Sequence, residues 1–444
     1  MWGVSDLTVQ AQGGTAAGRP EAIVLGLEHP RALAAVGSLG QAGIPVIGVD
    51  HRASAKGFSS RFLREKFRIS ADPDQALAFL EQLGERRGGV LIPTNDDYLI
   101  LVAKHFDQLS RYFVLTMPPW EILGELMDQA RCYALAAKAG VKTPRFFKPR
   151  DEEQLNDIIS ELDLEHHAYL LKTMPGTIPA DPRTGRFTKV AGTDTRTIQD
   201  NCLEIFSRLG EFPMIVQVVP GEADRCIGVS MVVNREHEAV VSYCVRRLKL
   251  YTYSRSGGFV HPYELGANVY CESIHDDEAT EAAIRFVRLA AYYGVITVEF
   301  RRDPSDDALT LIKADPRFVR ATSLSTALGL DVPTALYHVF TDGQVETSRR
   351  YPEGVAWVWL IPYMETLWAN RSNRPVRQEL FALLRKAHRI KAWAYLNAHD
   401  PMPFLQDLAP WARQKLNRAA RRLGRSVMDR IDWRGTITPA NRRD

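Results

Sequence analysis

The sequence predicts an α/β domain followed by an α+β body and a helical C-terminal region. Two apolar runs, Ala22-Ile23-Val24-Leu25-Gly26 and Pro45-Val46-Ile47-Gly48-Val49-Asp50, enclose a helical pattern through Ala32, Leu33, Val36 and Leu39. Strand, helix and strand at that spacing predict a right-handed βαβ unit in a parallel sheet. Beyond Pro118-Pro119 the regular alternation stops, and apolar runs follow one another in hairpin-like order, which indicates α+β organisation. The region from 346 to 444, with Trp357, Trp359, Trp368, Trp393, Trp411 and Trp433, reads as a helical appendage.

Within the first domain, Gly89-Val90-Leu91-Ile92-Pro93 is a further buried strand, and Thr94-Asn95-Asp96-Asp97 after it suits a helix N-cap. The turn after Gly26 reads Leu-Glu-His-Pro and lacks the glycine spacing of a dinucleotide site. A helix is predicted from about Glu121 to Lys138, ended by Gly140 and Pro144. Strands follow at Tyr169–Lys172, Met214–Val219 and Ile227–Val233, and a helix at Glu278–Tyr293. Val295–Phe300 and Leu309–Asp315 then form a hairpin across a charged turn. The two-residue period of a strand puts Thr297 and Glu299 on one face of the first strand and Lys313 and Asp315 on one face of the second, so three charges can converge on one surface.

Composition limits what such a fold can do. With 45% hydrophobic and 25% charged residues over 444 positions, the chain can bury more than one core. Lys+Arg 56 against Asp+Glu 53 gives +3, too balanced for a surface built to hold nucleic acid, so no sequence-specific nucleic-acid partner is expected. The basic excess lies in the tail, where Trp411 to Asp444 holds ten Lys/Arg and three Asp/Glu. Arg418, Arg421, Arg422 and Arg425 fall there at helical spacing, facing either solvent or an anionic surface. Cys132, Cys202, Cys226, Cys244 and Cys271 are scattered without a C-x-x-C pair, which argues against disulfides or structural zinc and for a cytoplasmic setting. Residues 1–20 read as a flexible extension rather than a signal peptide, and no transmembrane segment is expected.

Glu299 and Asp315 are hard oxygen donors of the kind Mg²⁺ prefers. The alternative is a plain cross-strand ion pair of Glu299 with Lys313, contributing roughly 0.2–1 kcal/mol. Lys172 and Lys189 are either solvated lysines or phosphate ligands. Gln217 and Glu222 either flank an ordinary turn or meet an adenine edge and ribose hydroxyls. Arg246, Arg247 and Arg317 are surface arginines or a clamp for phosphate or carboxylate.

The pieces "AIVLGLEHPRALAAVGSLGQAGIPVIGVD", "VLIPTNDDYL", "LMDQARCYALAAKAGVKTP", "YLLKTMPG", "MIVQVVPGEADR", "YYGVITVEFRRDP" and "LTLIKADPRFVRATSLSTALGLDVP", in that order, resemble the ATP-grasp superfamily and its bacterial carboxylate–amine ligase-like branch. The resemblance spans about residues 21 to 340. It implies a Rossmann-like pre-ATP-grasp domain over 21–118, ATP-grasp lobes over 119–345 and the helical region with basic tail over 346–444. It also implies ATP and Mg²⁺ as cofactors and small-molecule carboxylate and amine substrates, and a homodimer is compatible with it. In such enzymes ATP phosphorylates a carboxylate, and an amine attacks the acyl phosphate. By position, Lys172 and Lys189 correspond to nucleotide-phosphate lysines, Gln217 and Glu222 to adenosine contacts, Glu299 to a metal ligand, Arg317 to the arginine that steadies transferred phosphate, and Arg246 to a substrate-carboxylate ligand.

The departures from the family pattern are informative. Its usual Leu-Glu-x-Asn-Pro-Arg reads Ile312-Lys313-Ala314-Asp315-Pro316-Arg317, so a metal-bridging glutamate has become lysine. A single metal on Glu299 and Asp315, with Lys313 in the catalytic role of a second cation, is one outcome. An ammonium filling the metal position is the other, and it favours an impaired nucleotide-binding or scaffold protein over a working ligase. The expected Asp-Lys pair is Asp128-Gln129, and Pro175, Pro179 and Pro182 stiffen the loop after Lys172. Tyr251 to Tyr263 is a candidate acceptor lid or a plain loop.

Overall fold

A computed structural model of the chain describes residues 19–173, 194–251, 267–343, 345, 350–369 and 376–413. Lys189, the proline-rich loop after Lys172, the 252–263 segment and the arginines from 418 onward lie outside these residues.

The N-terminal domain is a five-stranded parallel sheet, β1 (Ala22–Leu25), β2 (Val46–Asp50), β3 (Leu63–Arg68), β4 (Val90–Pro93) and β5 (Val114–Leu115), in the order β3-β2-β1-β4-β5. The apolar residues of β1, β2 and β4 are fully buried, as parallel strands covered on both faces must be, which is why they read as continuous apolar runs. Gly26 leaves β1 at φ 85°, and a Cβ there would lie 2.6 Å from Asn95 Nδ2. That close approach seats the turn after β1 against the start of the helix Asp96–Lys104, whose N-cap Asn95 accepts a hydrogen bond from Tyr98 N at 3.0 Å.

The single helix read over 121–138 is two helices, Trp120–Met127 and Gln129–Lys138. Asp128 is extended and its carboxylate accepts from Ala130 N at 2.9 Å and Arg131 N at 3.1 Å, so an N-cap replaces a helical turn. A small antiparallel sheet follows, β6 (Phe146–Phe147), β7 (Tyr169–Lys172) and β8 (Met214–Gln217), ordered β6-β8-β7. Helices Glu152–Glu161 and Thr195–Leu209 cover it and share its core of Leu155, Ile198, Tyr169 and Ile215.

The large sheet contains β9 (Cys226–Val233), β10 (Ala239–Tyr251), β11 (Ala267–Ile274), β12 (Gly294–Arg302), β13 (Leu309–Asp315), β14 (Ala356–Val358) and β15 (Ile390–Trp393), ordered β13-β12-β9-β10-β11-β14-β15. The last two strands correct the reading of 346–444 as purely helical. Helices 360–369 and 376–385 are present, but β14 adds antiparallel to β11, with fully buried Trp357 opposite Cys271. Short strands with one large apolar residue carry too little periodicity to be told from helix.

One core joins the two halves. Leu25 and Leu91 of the N-terminal sheet belong to the same buried cluster as Leu126 and Tyr133 of the central helices and Val229, Ile296 and Leu311 of the large sheet. Each such side chain contributes about 1.5–3 kcal/mol by burial, so the N-terminal domain is anchored beside the β12–β13 hairpin. All five cysteines are buried and free. Among the described residues no helix is long and apolar enough to cross a membrane.

Candidate functional site

The β12–β13 hairpin pairs as read, with Thr297 opposite Asp315 and Glu299 opposite Lys313. Pairing then passes to Phe300 and Leu311, leaving Ile312 as the extra residue of a bulge. Its carbonyl accepts from Tyr133 Oη at 2.9 Å and Gln129 Nε2 at 3.1 Å. Gln129, which stands where a lysine was expected, therefore fastens the central helix to the hairpin. Half-buried Lys172 ends β7 with Nζ 3.5 Å from Tyr133 Oη and 5.9 Å from the ring centre. The small sheet, the central helix and the hairpin meet at this point.

Charges converge on the same face. Lys313 Nζ lies 2.6 Å from Asp315 Oδ2 and 3.5 Å from Glu299 Oε1. Arg247 of β10 is ion-paired with Glu299 on the other side. Gly228 of β9 lies between Val245 and Glu299 in the sheet register, and a Cβ there would meet Val245 Cγ2 at 3.3 Å and Thr297 Cγ2 at 3.6 Å. Arg317, just past β13, is ion-paired with Asp96 of the N-terminal domain and lies 3.2 Å from Asp315 Oδ1. Burial would raise the Asp315 pKa, but Arg317 and Lys313 hold its carboxyl well below the usual carboxylate range. Burial, with the Lys313 charge, lowers Lys172 from 10.5 to about 8, against the opposing pull of Glu299 and Asp315.

Of the residues singled out in the sequence, Lys172, Glu299, Lys313, Asp315 and Arg317 come together. Arg246 does not. Strand alternation sends it to the face opposite Arg247, where it donates to Glu272 Oε1 at 2.6 Å. There it lines a separate depression of about 440 Å³ with His388, Arg389 and Lys391. Gln217 ends β8, and Glu222 is exposed in the connection to β9; among the described residues neither side chain bonds to the Lys313 cluster. Buried Arg301 steadies that connection by donating to Val219 O at 2.9 Å. Asp96, 4% exposed, stands out in the sequence only as part of a helix cap. No local pattern marks it, because its partner is 221 residues away.

The donor set does not fit Mg²⁺. Octahedral Mg²⁺ needs carboxylate oxygens free at about 2.1 Å. Asp315 and Glu299 instead hold Lys313, Arg317 and Arg247, and an ammonium at 2.6 Å from the donor oxygen would repel a dication. Among the described residues no group of three His, Cys, Asp or Glu is placed to hold a metal ion. The assignment of Glu299 and Asp315 as metal ligands therefore stays an expectation of the sequence, with Lys313, Arg317 and Arg247 on their oxygens here. Lys313 puts a side-chain charge where the resemblance leads one to expect a metal charge.

The arrangement of a parallel-sheet domain, a small antiparallel lobe and a large, mostly antiparallel sheet is found in solved enzymes. Biotin carboxylase from Campylobacter jejuni, solved as a β,γ-ATP complex, superposes with TM-score 0.55 at 14% identity over 74% of this chain and 73% of that one. N5-carboxyaminoimidazole synthetase from Staphylococcus aureus complexed with ADP gives 0.53 at 14% identity over 73% and 78%. L-amino acid ligase from Bacillus licheniformis gives 0.53 at 11% identity over 76% and 78%. No family model and no curated protein sequence matches the chain. The chain has the ATP-grasp fold.

Proposed function

We propose that the chain binds an adenine nucleotide in the cleft between the small and large sheets, and that it is a catalytically impaired relative of the carboxylate–amine ligases. The observation that carries this reading is the Lys313 ammonium lodged between Glu299 and Asp315. Among the described residues Lys172, Arg247, Lys313 and Arg317 surround three carboxylates, Asp96, Glu299 and Asp315. This cationic surplus suits a triphosphate that arrives without its metal. In this reading Lys172 and Lys313 meet phosphate oxygens, Arg317 stays anchored beside them, Gln217 meets the adenine edge and Glu222 the ribose. Lys189 is a second phosphate lysine. Biotin carboxylase and N5-carboxyaminoimidazole synthetase, solved with a nucleotide, support the choice of ligand.

Isothermal titration with ATP, once with Mg²⁺ and once with EDTA, tests this. Affinities equal within about threefold are expected, because protein cations take the place of the metal. Binding that requires Mg²⁺ would overturn the metal-free site, and absence of binding would overturn the nucleotide reading.

The second reading is an ATP-dependent ligase that activates a carboxylate as acyl phosphate for attack by an amine. The clustering of Lys172 and Arg317 with Glu299 favours it. Release of ADP in the presence of mixed carboxylates and amino acids would establish it, and no release is expected.

A further inference from the structure

A second set of cations lies where the N-terminal domain, the segment after β13 and the C-terminal strands meet. Arg320 is three residues past Arg317, yet among the described residues it lacks the pairing that Arg317 enjoys. Its Nε is buried without a hydrogen-bond partner among the described residues, and its guanidinium carbon lies 5.9 Å from the Trp359 ring centre. The Trp359 indole nitrogen is likewise buried and without a partner. Arg31, 5% exposed at the start of the first helix, is near enough to Asp315 and Tyr395 to act electrostatically on both. The Tyr395 ring stands edge-on to Trp359 at 6.1 Å, and its hydroxyl is committed to Glu28 O at 3.1 Å.

Arginine and tryptophan side chains can donate hydrogen bonds but cannot accept them. Two buried donors side by side in a cationic setting lack an acceptor, and buried donors are seldom left that way. Asp315 does not serve, since Lys313 and Arg317 occupy its oxygens. We infer that this junction is a binding site for the oxyanion of a small-molecule ligand, a carboxylate or a phosphate, held by the Arg320 guanidinium and the Trp359 indole N–H with Arg31 alongside. The site deepens the proposed cleft by naming the charge class of a second ligand, and it rests on the same fold. It does not need the nucleotide to be bound.

The test is calorimetric titration of the full chain, without nucleotide, with inorganic phosphate and separately with succinate at constant ionic strength. Saturable binding of one or both is expected, and which arm binds tells a phosphate ligand from a carboxylate. Arg320→Lys, which keeps the charge and loses the fork, should weaken binding at least tenfold. Trp359→Phe, which keeps the ring and loses the donor, should weaken it at least threefold. Arg246→Gln, on the opposite face, should leave it unchanged. No binding of either anion, or wild-type binding in both Arg320→Lys and Trp359→Phe, overturns the inference. If Arg320→Lys does not fold, Trp359→Phe decides alone. Loss of anion binding with ATP binding intact would sink this site only, and the converse would sink only the nucleotide reading.

Discussion

The Lys313 ammonium is 2.6 Å from Asp315 Oδ2 and 3.5 Å from Glu299 Oε1, so one side chain bridges two carboxylates on neighbouring strands. Lys313→Glu would set three carboxylates together. Without metal it should destabilise the fold by about 2–4 kcal/mol, because removing one partner leaves charges unpaired. Millimolar Mg²⁺ should then restore much of the loss, while the parent protein responds little. Thermal melts with and without MgCl₂ measure both effects; a variant indifferent to Mg²⁺ would mean the pocket cannot be converted into a metal site.

Lys172 is held at about pKa 8 by burial and the nearby Lys313. Nucleotide affinity should therefore fall as pH rises past 8, by up to about tenfold per unit for one linked proton. Lys172→Arg should flatten that profile, since guanidinium stays charged. Titrations from pH 7 to 9.5 read it out.

The same shift bears on stability. Between pH 8 and 10.5 the unfolded chain binds more protons at Lys172 than the native chain, so stability should rise with pH across that window. At pH 7 keeping the buried ammonium costs on the order of 3 kcal/mol. Lys172→Met should raise the melting temperature while losing nucleotide binding, and a lowered melting temperature would count against this account of the shift.

Arg317 and Asp96 tie the hairpin to the N-terminal domain, with side chains 11% and 5% exposed. Asp96→Asn should cost about 3 kcal/mol in urea unfolding, and the Arg317→Gln variant a comparable amount. The double variant should cost less than their sum, as a double-mutant cycle requires of residues that interact directly.

At Gly228 a Cβ would come within 3.3 Å of Val245 Cγ2. Gly228→Val should overpack the sheet face against Val245 and Thr297, next to the Arg247–Glu299 pair, and destabilise by about 1–3 kcal/mol. The loss should shrink in a Glu299→Gln background, where there is less ion pairing left to disturb.

Local patterns were enough for the β1, β2 and β4 runs, the β12–β13 hairpin and its facing of Glu299, Lys313 and Asp315. Burial on both sides and the two-residue strand period are properties of contiguous residues. Tertiary packing alone decided that Arg247 rather than Arg246 enters the site, because which face of β10 meets Glu299 depends on its register with β9. It likewise brought Asp96 to Arg317 and set Arg320 against Trp359, contacts between segments far apart in the chain. Charge type could be read along the chain, but whether an ammonium or a metal sits between two carboxylates depends on distances that only the folded hairpin defines.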